Sequence, residues 1–259
     1  MESLRRVVVW FSCGAASAVA AKISVERFGK ERPVDVCYCD LSEDEHPDNA
    51  RFLADVERWI ERPIIKLRSH RYSRIDDVFL GERFIRSPSG APCTKLLKRH
   101  VRERYERPDD IVVIGYTSDE CERIAGLEAI SPHTTFLWVL AQAGISKADC
   151  YRIVKAAGIE LPVMYKLGYG HNNCIGCVKG GAGYWNKIRR DFPEVFARRA
   201  MVEREVGYSI LKCGWLDELD PEAGRDVPQP NIECGLFCAR YTDLIHEASR
   251  STHAHATGE

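Results

Sequence analysis

The 259-residue chain is 45% hydrophobic, enough for a substantial core, and sets 37 Lys and Arg against 38 Asp and Glu. Its formal net charge of −1 supplies no global field for a nucleic acid or an anionic membrane surface. No early apolar run is long enough for a signal peptide or a membrane span, so the expectation is a cytoplasmic chain with no membrane partner.

Arg6 to Phe11, RVVVWF, has the length and unbroken apolar character of a buried strand. SCGAAS follows, and then the helix-forming segment AVAAKISVERF, stopped at Gly29. Val34 to Cys39 repeats the strand pattern, and a helix is expected from Pro47 through NARFLADVERWI. Pro63 to Leu67 and Ile111 to Ile114 are further strands. Between them, Cys93 to Arg104 reads as a basic helix with Lys95, Lys98, Arg99 and Arg102 available to an anionic partner, although a solvated helix face explains them as well. Ser146 caps a helix through KADCYRIVKAAG, and Tyr184 to Glu205 is again helical. Strands alternating with helices predict an α/β fold with a mainly parallel sheet and flanking helices. Leu167 to Tyr184, LGYGHNNCIGCVKGGAGY, is the most unusual composition, with a backbone suited to wrapping something small.

Eleven cysteines cannot all pair within one monomer. Without a secretory segment, metal, redox or sulfur-carrier chemistry explains them better than a disulfide framework. Cys37, Cys39 and Cys150 fall within strand and helix patterns and read as small buried hydrophobes. Cys174 and Cys177 form a CxxC turn, a spacing that suits a metal, an iron–sulfur cluster or a dithiol pair.

Ser12, Cys13, Gly14, Ala15, Ala16 and Ser17 join the first strand to the first helix. Small residues there let an anion approach amides that have no partner within the helix, and two serines add hydroxyls. The segment is neither a Walker A loop nor a dinucleotide fingerprint, and a tight packing turn has the same composition.

SCGAAS nevertheless resembles the Ser-Gly-Gly-x-Asp-Ser loop of the PP-loop ATP pyrophosphatases, with Gly14 and Ser17 in register, Cys13 where a glycine is common and Ala16 where an aspartate is common. It is closest in character to the phosphoadenosine-phosphosulfate reductase branch and to iron–sulfur sulfurtransferases such as DNA phosphorothioation proteins. The resemblance implies an adenine-nucleotide alpha-hydrolase-like fold with ATP and Mg2+ at Ser12 to Ser17. It also implies an acidic nucleotide contact at Asp40 and a nucleotide-lining segment from Gly115, in which Arg123 is the phosphate or sulfate ligand. Cys93, Cys174 and Cys177 resemble the ligands of a [4Fe–4S] cluster, with Pro92 where a further cysteine often stands and Cys238 as a fourth-ligand candidate. Glu233, Cys234, Gly235 and Leu236 resemble the reductase tail whose cysteine attacks sulfur, although Phe237 replaces its histidine; this implies catalytic roles for Cys234 and Cys238.

The implied organisation is a nucleotide-binding core over residues 1–165, a cysteine-rich C-terminal region over 166–248 packed on it, and a flexible tail over 249–259. The implied activity is ATP-dependent activation followed by sulfur transfer, with DNA or tRNA as candidate acceptors. A cysteine desulfurase or other sulfur donor and nucleic-acid-modification proteins are the implied partners. Sulfonucleotide reduction and a nucleotide-binding component with a structural cluster are the alternatives.

Overall fold

The structure is a computed structural model that describes residues 4–87 and 90–227. In chain order its elements are β1 (Val7–Phe11), α1 (Ala15–Phe28), β2 (Val34–Cys39), α2 (Asn49–Ile60), β3 (Ile65–Leu67), α3 (Ile75–Glu82) and α4 (Pro92–Thr94). A π turn (Lys95–Arg99) leads into α5 (His100–Tyr105), β4 (Ile111–Ile114), a 3-10 turn (Ser118–Glu120), α6 (Cys121–Ile130), β5 (Thr135–Leu137) and α7 (Val139–Gln142). Then come α8 (Lys147–Ala156), α9 (Val163–Lys166), α10 (Ala182–Asp191), α11 (Pro193–Val206) and a last 3-10 turn (Leu216–Glu218).

The chain divides into two compact units, Met1–Arg68 with Val101–Asn173, and Ser69–His100 with Cys174–Glu259. The first unit holds a five-stranded sheet in the order β3-β2-β1-β4-β5. All four strand pairings are parallel, with Val7 beside Val34 on one side and Ile111 on the other. A central parallel strand is covered on both faces, which is why Val7, Val8, Val9, Trp10 and Phe11 are all buried without alternation. Around the sheet lie flanking helices, and α1 packs against α2, α7 and α8. On α2, Phe52, Leu53, Val56 and Ile60 recur at helical spacing and form its buried stripe. Each such side chain contributes about 1.5–3 kcal/mol by leaving water.

The expected parallel α/β architecture is therefore present. Several elements, among them β5, α3, α7 and α9, had no sequence signal strong enough to mark them. β5 is three residues, half-exposed, and begins in a polar run; α3 spans eight residues and lies in the stretch left without a pattern.

In the second unit, buried ion pairs and caps fix the helices. Arg198 and Arg199 of α11 both reach Asp76 of α3, and Arg199 is fully buried with its guanidinium 5.6 Å from the Phe79 ring. Glu203, also fully buried, accepts the amides of Ile210 and Leu216 and so anchors the chain after α11. Lys98 and Arg99 are buried here, and Arg102, which belongs to the first unit, is buried there and pairs with Glu106 at 2.5 Å. The basic stretch thus does not offer its charges as an open surface, and of its four named cations Lys95 is the exposed one. Among the described residues, no helix is long and apolar enough to cross a membrane.

Candidate functional site

The order of the strands places the switch in direction between β1 and β4, since the chain runs outward through β2 and β3 on one side and through β4 and β5 on the other. In open parallel sheets the carboxyl ends beside such a switch form a crevice with exposed loop backbone. Here those ends carry Ser12 to Ser17 after β1 and Gly115 to Thr117 after β4. Both predicted segments therefore meet in the first unit.

The loop after β1 is short, because α1 already begins at Ala15. Cys13 is fully buried and left-handed, with φ +55°. That conformation costs a side-chain-bearing residue about 1–2 kcal/mol, which gives a physical reason for a glycine at this position in the motif it resembles. Gly14, extended at φ −104° and ψ 158°, is the N-cap and makes no side-chain cap. Ala15, Ala16 and Ser17 then form the first helical turn, whose amides have no acceptor within the helix. Ser17 closes the loop on itself: its hydroxyl donates to the Gly14 carbonyl at 2.9 Å and accepts the Ser12 amide at 3.0 Å. The Tyr165 hydroxyl accepts from the Ala15 amide, and burial pushes its phenol well above the usual range.

Gly115 reaches this turn directly. A Cβ at residue 115 would lie 2.8 Å from both Cα and N of Ser17 and 3.0 Å from the Ala16 carbonyl carbon. Only a residue without a side chain allows the β4 loop and the first turn of α1 to come so close.

The predicted charged ligands are engaged elsewhere in the same unit. Burial opposes the charge of Asp40, but hydrogen bonds from Arg68 and Ser42 outweigh it and hold the carboxyl below its ordinary range. The Arg68 contact is 2.8 Å. Arg123 lies over the Tyr116 ring at 4.2 Å, pairs with Glu120, and donates to the Tyr116 hydroxyl at 3.2 Å. Tyr116 is in turn parallel to Trp138, with centroids 5.7 Å apart.

Sequence reasoning missed a buried polar chain behind the loop. Tyr38 donates to Glu45 at 2.6 Å, and Asn49 donates to the same carboxylate oxygen at 2.8 Å. Asn172 Nδ2 then donates to Asn49 Oδ1 at 2.8 Å and to the Cys13 carbonyl at 2.7 Å. Asn172 belongs to the GHNNC segment, whose composition alone marked it.

The second unit holds the other predicted group. Cys174 and Cys177 are buried, on a turn where Gly176 is left-handed at φ +71°. A Cβ at residue 176 would also lie 2.8 Å from Val195 Cγ1, so this turn tolerates glycine alone. The Cys177 amide donates to the Tyr184 hydroxyl at 2.9 Å. Cys93 is half-buried in the first turn of α4, directly after Pro92, a residue suited to that position because it lacks an amide proton. Among the described residues, no three His, Cys, Asp or Glu side chains come together as a metal-holding group. Cys93, Cys174 and Cys177 all belong to the second unit. Cys234 and Cys238 lie outside the described residues. Cys37, Cys39 and Cys150 are buried as expected, and burial pushes the Cys37 and Cys150 thiols up to about 12.

No family model matches the chain. Over 216 residues it is 26% identical to an uncharacterized protein of Methanocaldococcus jannaschii, a match that takes in 81% of this chain. The chain spans 44% of the length of that relative.

Proposed function

We propose that the first unit binds ATP with Mg2+ at the β1–α1 loop, in an adenine-nucleotide alpha-hydrolase-like core, and that the protein activates an acceptor by adenylylation ahead of sulfur transfer. The observation that carries this reading is the contact of Gly115 with the first turn of α1, beside the left-handed Cys13. It supports a turn shaped by backbone approach at the sheet's switch point, where amides of a helix start attract phosphate oxygens. The bland alternative, a simple packing turn, needs no strained residue at Cys13 and no bare backbone contact at Gly115.

In the proposed reaction an acceptor oxygen attacks the α-phosphorus of ATP and pyrophosphate leaves. A sulfur nucleophile then attacks the acceptor atom that bears this oxygen, its bond to the oxygen breaks, and AMP leaves carrying the oxygen. Ser17 and the amides of Ala15 and Ala16 hold the phosphates, with Tyr165 yielding the Ala15 amide. The sulfur half rests on Cys174 and Cys177 and on the resemblance of Cys234 and Cys238 to a reactive tail. A [4Fe–4S] cluster on Cys93, Cys174 and Cys177, with Cys238 as fourth ligand, remains part of the proposal on sequence grounds. DNA or tRNA is the proposed acceptor class, and a cysteine desulfurase or other sulfur donor the proposed partner.

Two assays on anaerobically purified protein test the two halves. The reading expects about four irons and four acid-labile sulfides per chain, and pyrophosphate release from ATP when acceptor and sulfur donor are present. Rapid sulfite release from adenylylsulfate or its phosphorylated form would move the assignment to sulfonucleotide reduction. ATP binding with no turnover under any of these conditions would leave a nucleotide-binding component.

A further inference from the structure

The polar chain behind the loop has a direction, and that direction determines what Cys13 receives. Asn49 donates Nδ2 to the Glu45 carboxyl, which turns Asn49 Oδ1 toward Asn172. Asn172 must in turn present Nδ2, and that nitrogen also meets the Cys13 carbonyl. Asn172 is 4% exposed, and its own Oδ1 is buried with no hydrogen-bond partner among the described residues. The opposite amide orientation would set that oxygen against two other oxygens, so the orientation is held by the network and not by Oδ1 itself.

We infer that Asn172 is a positioning residue for the anion loop, oriented by Glu45 through Asn49. By drawing the Cys13 carbonyl into the protein, it holds the left-handed turn that leaves the following amides to face an incoming polyphosphate. The inference rests on the ATP reading above. It adds a residue from a distant segment, 159 positions along the chain from Cys13, whose role is to shape the loop without touching the ligand.

The test compares the full-length wild type with Asn172→Ala, Asn172→Asp and Asn49→Ala, titrated separately with Mg-ATP, inorganic pyrophosphate and adenosine. Asn172→Ala removes both donors, and Asn172→Asp replaces the donor group by an acceptor. Asn49→Ala removes the group that orients Asn172 and leaves both Asn172 and the loop sequence intact, so it serves if a substitution at 172 prevents folding. The expected result is a weakening of ATP and pyrophosphate binding by about tenfold for Asn172→Ala, more for Asn172→Asp and about threefold for Asn49→Ala, with adenosine affinity unchanged in all three. Equal loss of adenosine and ATP binding would make Asn172 a general structural residue and overturn the inference. Wild-type affinity for ATP and pyrophosphate in all three variants would overturn it while leaving the ATP reading intact. A wild type that binds neither phosphate ligand would overturn the reading and the inference together.

Discussion

Replacing Gly115 with alanine tests the contact on which the proposed nucleotide site depends. The added methyl would lie 2.8 Å from two backbone atoms of Ser17, and backbone cannot rotate away as a side-chain tip can. Restoring ordinary contact at about 3.4 Å or more demands that the β4 loop and α1 separate by several tenths of an ångström. Overpacking of this kind costs about 1–3 kcal/mol. Gly-to-Ala substitution also stabilises a folded chain by about 0.4–1 kcal/mol through the unfolded state, so a control is needed. Gly126, inside α6, provides it, since a Cβ there meets nothing within 4 Å. Thermal melts of the two variants should diverge: Gly126→Ala rises by about 1–4 °C, and Gly115→Ala falls by up to about 10 °C, at about 2–4 °C per kcal/mol for a chain of this size. ATP affinity should fall about tenfold in Gly115→Ala and stay unchanged in Gly126→Ala. A Gly115→Ala protein that melts like Gly126→Ala and binds ATP like the wild type would refute the close approach.

At Cys13, the left-handed backbone predicts an order of melting temperatures, glycine above alanine above valine, with about 1 kcal/mol between the first two; alanine equal to or above glycine would contradict the φ of +55°. Burial, with a smaller effect of Lys147, pushes His171 from 6.5 down to about 4. Between those values the unfolded chain binds the proton first, so this contribution is intact above about pH 6.5 and is lost as pH falls toward 4. It amounts to about 3 kcal/mol at most. Denaturant melts from pH 7 to pH 4.5 should therefore show a shallower stability loss for His171→Gln than for the wild type, and identical slopes would rule out a neutral buried imidazole. In the second unit, Asp76→Ala leaves the fully buried Arg199 without its carboxylate, a loss of about 3–5 kcal/mol. Arg204→Ala breaks exposed pairs with Asp217 and Glu218 and a stack on Trp215, and should melt close to the wild type; similar losses in both would contradict the burial difference.

Much of the first unit was legible because period and punctuation agreed. RVVVWF and VDVCYC are short, unbroken apolar runs followed by small or acidic residues, as buried parallel strands require. Ser146 announced its helix correctly, accepting the Asp149 amide at 3.1 Å in a reciprocal capping box. The meeting of SCGAAS and Gly115 was expected from the family resemblance alone, and the sheet order β3-β2-β1-β4-β5 is what brings the two loops to one edge. What stayed hidden depends on long-range pairing. Asn172 looks like any loop asparagine until Cys13 and Asn49 are brought to it. Arg123 looked like an available cation because neither its ion pair with Glu120 nor its stacking on Tyr116 has a sequence signature. Lys98, Arg99 and Arg102 looked available on a basic helix face because nothing in their local sequence marks the packing that buries them. Cys93, Cys174 and Cys177 have recognisable spacing, but spacing does not establish a converged ligand set.

The central claim is that this chain holds ATP by its polyphosphate. Equilibrium dialysis of freshly purified, anaerobic protein against labelled Mg-ATP, with and without excess pyrophosphate, tests it most directly. The expected result is one saturable site per chain that pyrophosphate competes away. No saturable binding at ATP concentrations up to about 1 mM, the upper end of ordinary enzyme substrate affinities, would contradict it.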